Sequence, residues 1–216
     1  MFKGRPLRYR LSDENFMRIL KIFLILLITT WYFLFVPGLS YSKEIVLYSF
    51  EKDPQGWEIP DWALGKSDHV TKQIGISEFQ ASDGKTSLQM DTEFTGGASW
   101  EGAYIERVID VTDWSPFKYL SVDVFLPKDA PQGLRGRIIL TVGEEWKWTE
   151  MNKAILLTPG EWTVIKADLT PDSLAWRRFV TDSFRSDIRK MGVRIESNGK
   201  IVYKGPVYID NVKLTD

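Results

Sequence analysis

From residue 43 onward the chain runs in short stretches of alternating apolar and polar residues, most of them closed by a turn signal. The stretches fall at 45–50, 70–76, 87–94, 103–111, 119–126, 137–142, 154–157, 162–169, 192–197 and 206–214. Between them stand Asp53-Pro54-Gln55-Gly56, Ser82-Asp83-Gly84, Gly96-Gly97, Pro131-Gln132-Gly133, Thr158-Pro159-Gly160 and Asn198-Gly199. A side-chain period of two fits a strand with one covered face. Strands this short and evenly spaced close into a sandwich or barrel. The pattern predicts an all-β domain over 43–216. The best helical candidate is 182–191, expected as a surface crossover. No fixed-period repeat and no low-complexity linker interrupts the pattern, so 43–216 reads as one domain.

Alternation also assigns faces. In Tyr119-Leu120-Ser121-Val122-Asp123-Val124-Phe125, residues Leu120, Val122 and Val124 point to the core, which leaves Ser121, Asp123 and Phe125 outward. Ile138, Leu140 and Val142 are core by the same rule. So are Val193 and Ile195, with Arg194 and Glu196 outward.

Composition removes several kinds of chemistry. The 216 residues contain no cysteine and one histidine, His69. Disulfides, thiolate metal sites, cysteine nucleophiles and multi-histidine metal sites are excluded. The formal net charge is -1, which supplies no field to hold a polyanion, so nucleic acid is not an expected partner.

The first 42 residues read as an export segment. Residues 22–36 form an uncharged apolar run of 15, shorter than the roughly 20 that a spanning helix needs. Lys3, Arg5, Arg8, Arg10, Arg18 and Lys21 precede it, and small residues close Pro37-Gly38-Leu39-Ser40-Tyr41-Ser42. This is the layout of a signal peptide cleaved after Ser42, with Met17 as an alternative start. The competing reading is an uncleaved N-terminal anchor, which would be the only membrane contact. Without 1–42 the net charge is -5. A mildly acidic exported domain without cysteines fits a bacterial periplasmic or secreted protein.

Beyond residue 42 the chain holds eight tryptophans, more than a sandwich needs for packing. Trp57 and Trp162 lie among apolar strand neighbours and are assigned to packing, and Trp114 to a corner. Trp146 and Trp148 stand among Glu144, Glu145, Lys147 and Glu150. Two apart, they would share a face of one strand. Trp100 is followed by Glu101-Gly102-Ala103-Tyr104. An indole laid against a sugar ring gains apolar contact, and its negative face meets the slightly positive carbon face of the ring. Neighbouring carboxylates and guanidinium groups can then hydrogen-bond the hydroxyls in bidentate fashion. The candidate ligand-binding residues are Trp100, Tyr104, Trp146, Trp148, Arg194 and Glu196, with Asp123 in reserve.

Several segments together resemble a known family. They are Phe50-Glu51 with Gly56-Trp57, then Ala81-Ser82-Asp83-Gly84-Lys85-Thr86-Ser87-Leu88, then Tyr119 to Pro127, then Glu161-Trp162-Thr163-Val164. The last is Tyr203-Lys204-Gly205-Pro206-Val207-Tyr208-Ile209-Asp210-Asn211-Val212. In order and spacing they resemble the jelly-roll carbohydrate-binding modules of the galactose-binding-like superfamily. The resemblance implies a two-sheet antiparallel jelly-roll β-sandwich that binds a polysaccharide or oligosaccharide without chemistry of its own. It also implies a structural calcium, held by Glu51, the loop Asp83–Lys85 through backbone carbonyls, and Asp210. A carboxylate in the apolar strand around Asp210 needs a partner in any case. The same superfamily serves protein assembly, as in the complex-I intermediate-associated family. An envelope assembly factor, or an ancillary domain of a glycoside hydrolase system, is therefore the alternative. Enzyme signatures are weak: His69 has no nucleophile elbow beside it, and Gly96-Gly97 lacks the context of a phosphate loop.

Overall fold

The computed structural model describes residues 43–97, 99–178 and 180–216, with Met17, Arg18 and Lys21. Apart from those three residues, the export segment predicted for 1–42 lies outside the described residues. Among the described residues no helix is long and apolar enough to cross a membrane.

Among the described residues eleven strands carry the fold: β1 (Glu44–Tyr48), β2 (Thr71–Ser77), β3 (Ser87–Thr95), β4 (Glu101–Val108), β5 (Tyr119–Phe125), β6 (Arg135–Val142), β7 (Lys147–Glu150), β8 (Ile155–Leu156), β9 (Trp162–Asp168), β10 (Ile188–Ser197) and β11 (Val202–Thr215). They form two sheets with every ladder antiparallel. The first runs β2-β3-β11-β5-β9, with β1 also on β11. The second runs β4-β10-β6-β7, with β8 also on β6. This is the expected two-sheet β-sandwich.

The inner faces are those that alternation picks out. Leu120, Val122, Val124, Ile138, Leu140, Val193 and Ile195 are all fully buried. Each large apolar side chain so removed from water contributes about 1.5–3 kcal/mol. Trp57 closes one end of this core, edge-on to Tyr48 at 5.6 Å. Trp114 is fully buried at a corner, where its indole N–H donates to the Val111 carbonyl at 2.7 Å. Trp162 packs on the outside of the first sheet instead, half-buried against Phe125 at 5.5 Å.

Two features depart from expectation. The helix predicted for 182–191 is a single turn, α1 (Asp182–Arg185), capped by the Thr181 hydroxyl accepting from the Phe184 N–H at 3.1 Å. From Ile188 the chain is already strand β10. A register shift between Ile188 and Lys190 lets Ile188 and Met191 both reach the core, which imitates helical spacing. Strand β7 was not expected, because its inner-face positions are Lys147 and Thr149, opposite Val142 and Leu140, and neither is apolar.

Candidate functional site

The outer face of the second sheet is polar. Register sets its rows. Tyr104, Arg194 and Arg137 lie side by side across β4, β10 and β6. The next row is Glu106, Gly192, Ile139 and Glu150, and the one after is Val108, Lys190, Thr141 and Trp148. These positions alternate with the core residues of the same strands, so the sequence sends them outward.

Outward does not mean solvated here. The Glu150 and Glu196 side chains are 3% and 5% exposed. Glu150 accepts from Arg137 at 3.1 Å, Arg194 at 2.6 Å and Arg177 at 2.6 Å. Glu196 accepts from Arg137 at 2.9 Å and Arg194 at 2.9 Å. Two guanidinium groups and two carboxylates thus close a square, with Arg177 at its rim. Covered charges persist when each is met by an opposite charge, and here Arg137 bonds through both terminal nitrogens while its buried Nε has no partner. Beside the square, Lys190 pairs with Glu106 at 2.5 Å. The Tyr104 hydroxyl donates to the other Glu106 oxygen at 3.0 Å. Burial, and then the Glu106 charge, push the Tyr104 hydroxyl far above its ordinary value, so it stays a donor.

Aromatic rings line both edges of this face. Two glycines make room on the β4 side: a Cβ on Gly102 would collide with the Trp100 ring, and one on Gly192 with the Tyr104 ring. Arg194 lies over Trp100 at 5.2 Å. Trp62, from the segment that crosses this edge, packs on Tyr104 at 5.3 Å and keeps 48% exposure. His69 stands edge-on between Trp62 and Trp100 and bonds Asp68 at 2.9 Å. On the far edge Trp148 is 45% exposed, and Arg178 donates to its carbonyl at 2.9 Å.

Trp100, Tyr104, Trp148, Arg194 and Glu196 therefore meet on one face. Tyr104 and Glu196 serve there as covered supports and offer little surface. Trp146 does not share a strand face with Trp148. It ends the turn before β7 at φ 52°, and its indole is 50% exposed. Asp123 is a correction: it lies on the other sheet. There it is buried, accepting from the Ser82 hydroxyl at 2.8 Å and the Asn211 amide at 3.0 Å. Sequence reasoning passed over Trp62, Arg137, Glu150 and Glu106. For Arg137 the signal was present, as a charge in the outward register of a core strand. For Trp62 the only signal was an unassigned indole in a loop.

The calcium expectation falls near Asp123. Glu51 accepts from the Lys85 N–H at 3.0 Å. Asp210 accepts from the N–H groups of Ser82, Asp83 and Asn211 at 2.8, 3.1 and 2.7 Å. Burial raises the Asp210 carboxyl above its ordinary value despite these donors. Both carboxylates face amide N–H groups, whereas calcium wants six to eight oxygens. The loop offers Glu51 the amide N–H groups of Lys85 and Thr86. Among the described residues no group of three or more acidic or histidine side chains is placed to hold a metal.

The fold and this face define a β-sandwich of the carbohydrate-binding-module type. The family model for "Mannanase, galactose-binding domain-like" matches residues 48–211, and the chain belongs to that family. Solved structures agree on the fold. A module from Caldicellulosiruptor saccharolyticus, CBM27-1, solved with mannohexaose, is 22% identical with a TM-score of 0.55, over 80% of this chain and 96% of that one. CBM28, a module specific for non-crystalline cellulose, is 15% identical with a TM-score of 0.59, covering 80% and 95%. The family 11 module of a cellulosomal cellulase from Clostridium thermocellum is 16% identical with a TM-score of 0.55, covering 81% and 95%. No curated protein matches the chain.

Proposed function

We propose that the outer face of the β4-β10-β6-β7 sheet binds a neutral polysaccharide of the mannan type. The observation that carries this is the pair of exposed indoles, Trp62 and Trp148, at opposite edges of a rigid charged floor. Three inter-strand spacings separate those edges, roughly 14 Å, which is room for several sugar rings. The rings would stack on the indoles while their hydroxyls bond the rim of the network. Cations and carboxylates on the floor pair with one another, so the face does not select for a charged polymer. Mannan as the backbone is supported by the family description and by the mannohexaose held by the Caldicellulosiruptor module.

The rest of the reading follows the class. The chain acts without catalysis of its own, in the periplasm or outside the cell, delivered by the segment before residue 43. Affinity electrophoresis and calorimetry test the binding, with mannan and mannohexaose beside cellulose and xylan fragments. Retardation by mannan, and a fall of about tenfold in affinity for Trp62→Ala and Trp148→Ala, is the expected result. Failure of every polysaccharide to retard the chain or change its tryptophan fluorescence would sink the proposal.

A further inference from the structure

The opposite side of the sandwich carries a second set of aromatic rings. Across β3, β11, β5 and β9, register aligns Gln89, Tyr208, Phe125 and Trp162 in one outward row. Phe79, from the β2–β3 connection, stacks on Tyr208 with centroids 5.6 Å apart and planes 25° apart. It nevertheless stays 68% exposed. A loop phenylalanine backed by a buried tyrosine is a firm apolar plate held out to water, a costly placement unless something covers it.

Beside that plate lies an open cavity of about 230 Å³, walled by Phe79, Tyr203, Tyr208 and Pro206, with Asp129 and Lys204 among its lining. The Tyr203 hydroxyl donates to the Pro206 carbonyl at 2.8 Å, which fixes one wall. Burial, followed by nearby carboxylates, raises the Tyr203 and Tyr208 hydroxyls above their ordinary values and keeps them protonated. We infer that this cavity is a second saccharide site, taking one neutral pyranose ring against Phe79. Its volume lies below the roughly 300–1,000 Å³ of a pocket that encloses a drug-sized ligand, so it suits one ring and not a run of rings. Asp129 accepts from hydroxyls and Lys204 donates to them. The carboxylate beside the ring disfavours an anion. With a site on each sheet, one molecule joins two polysaccharide strands.

The experiment uses the full chain and mannohexaose and cellohexaose as probes, read by calorimetry and by NMR shifts. The double variant Trp62→Ala/Trp148→Ala disables the first face. Residual weaker binding in it, reduced about tenfold or more by adding Phe79→Ala, supports the second site. Sensitivity to Phe79→Ala with no sensitivity to the tryptophan variants supports this site while overturning the first. The proposal is overturned if the double variant retains no binding, if Phe79→Ala leaves residual binding unchanged, or if wild type binds neither probe. It is also overturned if Phe79→Ala converts a dimer to a monomer, which would make the plate a surface for a second copy. Trp62 and Trp148 are about half exposed and Phe79 is 68% exposed, so the control is a cooperative melt for each variant, with a small fall in Tm from the lost ring contacts.

Discussion

Replacing Glu150 by glutamine tests the charged floor directly. Glu150 takes three guanidinium donors at 2.6 to 3.1 Å. Arg177 is 59% exposed, and its bond contributes under about 1 kcal/mol. Arg137 and Arg194 are only 12% and 14% exposed. Stripping a covered charge of its partner costs about 3–5 kcal/mol. Glutamine keeps one acceptor oxygen and the shape, and Glu196 still faces both arginines. The expected loss is therefore at the low end, about 3 kcal/mol. In a fold of this size that lowers Tm by roughly 6–12 °C. Urea unfolding followed by tryptophan fluorescence measures it, with an unchanged m value showing that only stability moved. A loss below about 1 kcal/mol would mean the floor is solvated and the square is not a covered network.

Three further outcomes follow from particular residues. Trp146 holds a left-handed backbone at φ 52°, which costs a non-glycine residue about 1 kcal/mol. Trp146→Gly relieves that strain but frees the unfolded chain by a similar amount, so stability should change by less than about 1 kcal/mol in a denaturant titration, and a loss well beyond that would show that the indole packs. Glu101 is fully buried. Burial alone would raise its carboxyl, but donors from Thr95 and Gly96 win and hold it below its ordinary value of 4.5. Its contribution is complete above that value and is lost as pH falls through the lowered one. Glu101→Gln should therefore be less stable than wild type at neutral pH, with the gap closing in acid; a constant gap would refute the assignment. Calcium bound by Glu51, the Lys85 loop and Asp210 remains testable by melting the chain in EDTA and in calcium chloride. The amides facing Glu51 and Asp210 predict equal melting temperatures, and a rise in calcium would show that the loop turns its carbonyls inward.

Much of the sandwich was legible because a period of two survives wherever one face is packed. Leu120, Val122 and Val124 announced β5, and Val193 and Ile195 announced β10. The pattern failed where its premise did. In β7, Trp148 and Glu150 face out and the inner-face positions are Lys147 and Thr149, so no apolar alternation marks the strand. Over 182–191 a register shift between Ile188 and Lys190 breaks the alternation, so the start of β10 was not marked as strand. The candidate site was half legible. Arg194 and Glu196 were placed outward, but alternation cannot tell outward and wet from outward and covered. That difference is made by partners distant in the chain: Arg137 from β6, Glu150 from β7, and Trp62 from the segment laid over Tyr104. Asp123 failed for the same reason. Its outward register was right, but register within one strand does not say which sheet the strand joins.

Strand β11 is the last element in order along the chain, yet it lies in the interior of its sheet, touching β1 and β3 on one edge and β5 on the other. Until those fourteen residues arrive, the earlier strands of that layer lack the neighbour that joins them. One strand thus serves as the seam of the whole layer, so a change that weakens its pairing loosens β1, β3 and β5 from one another together.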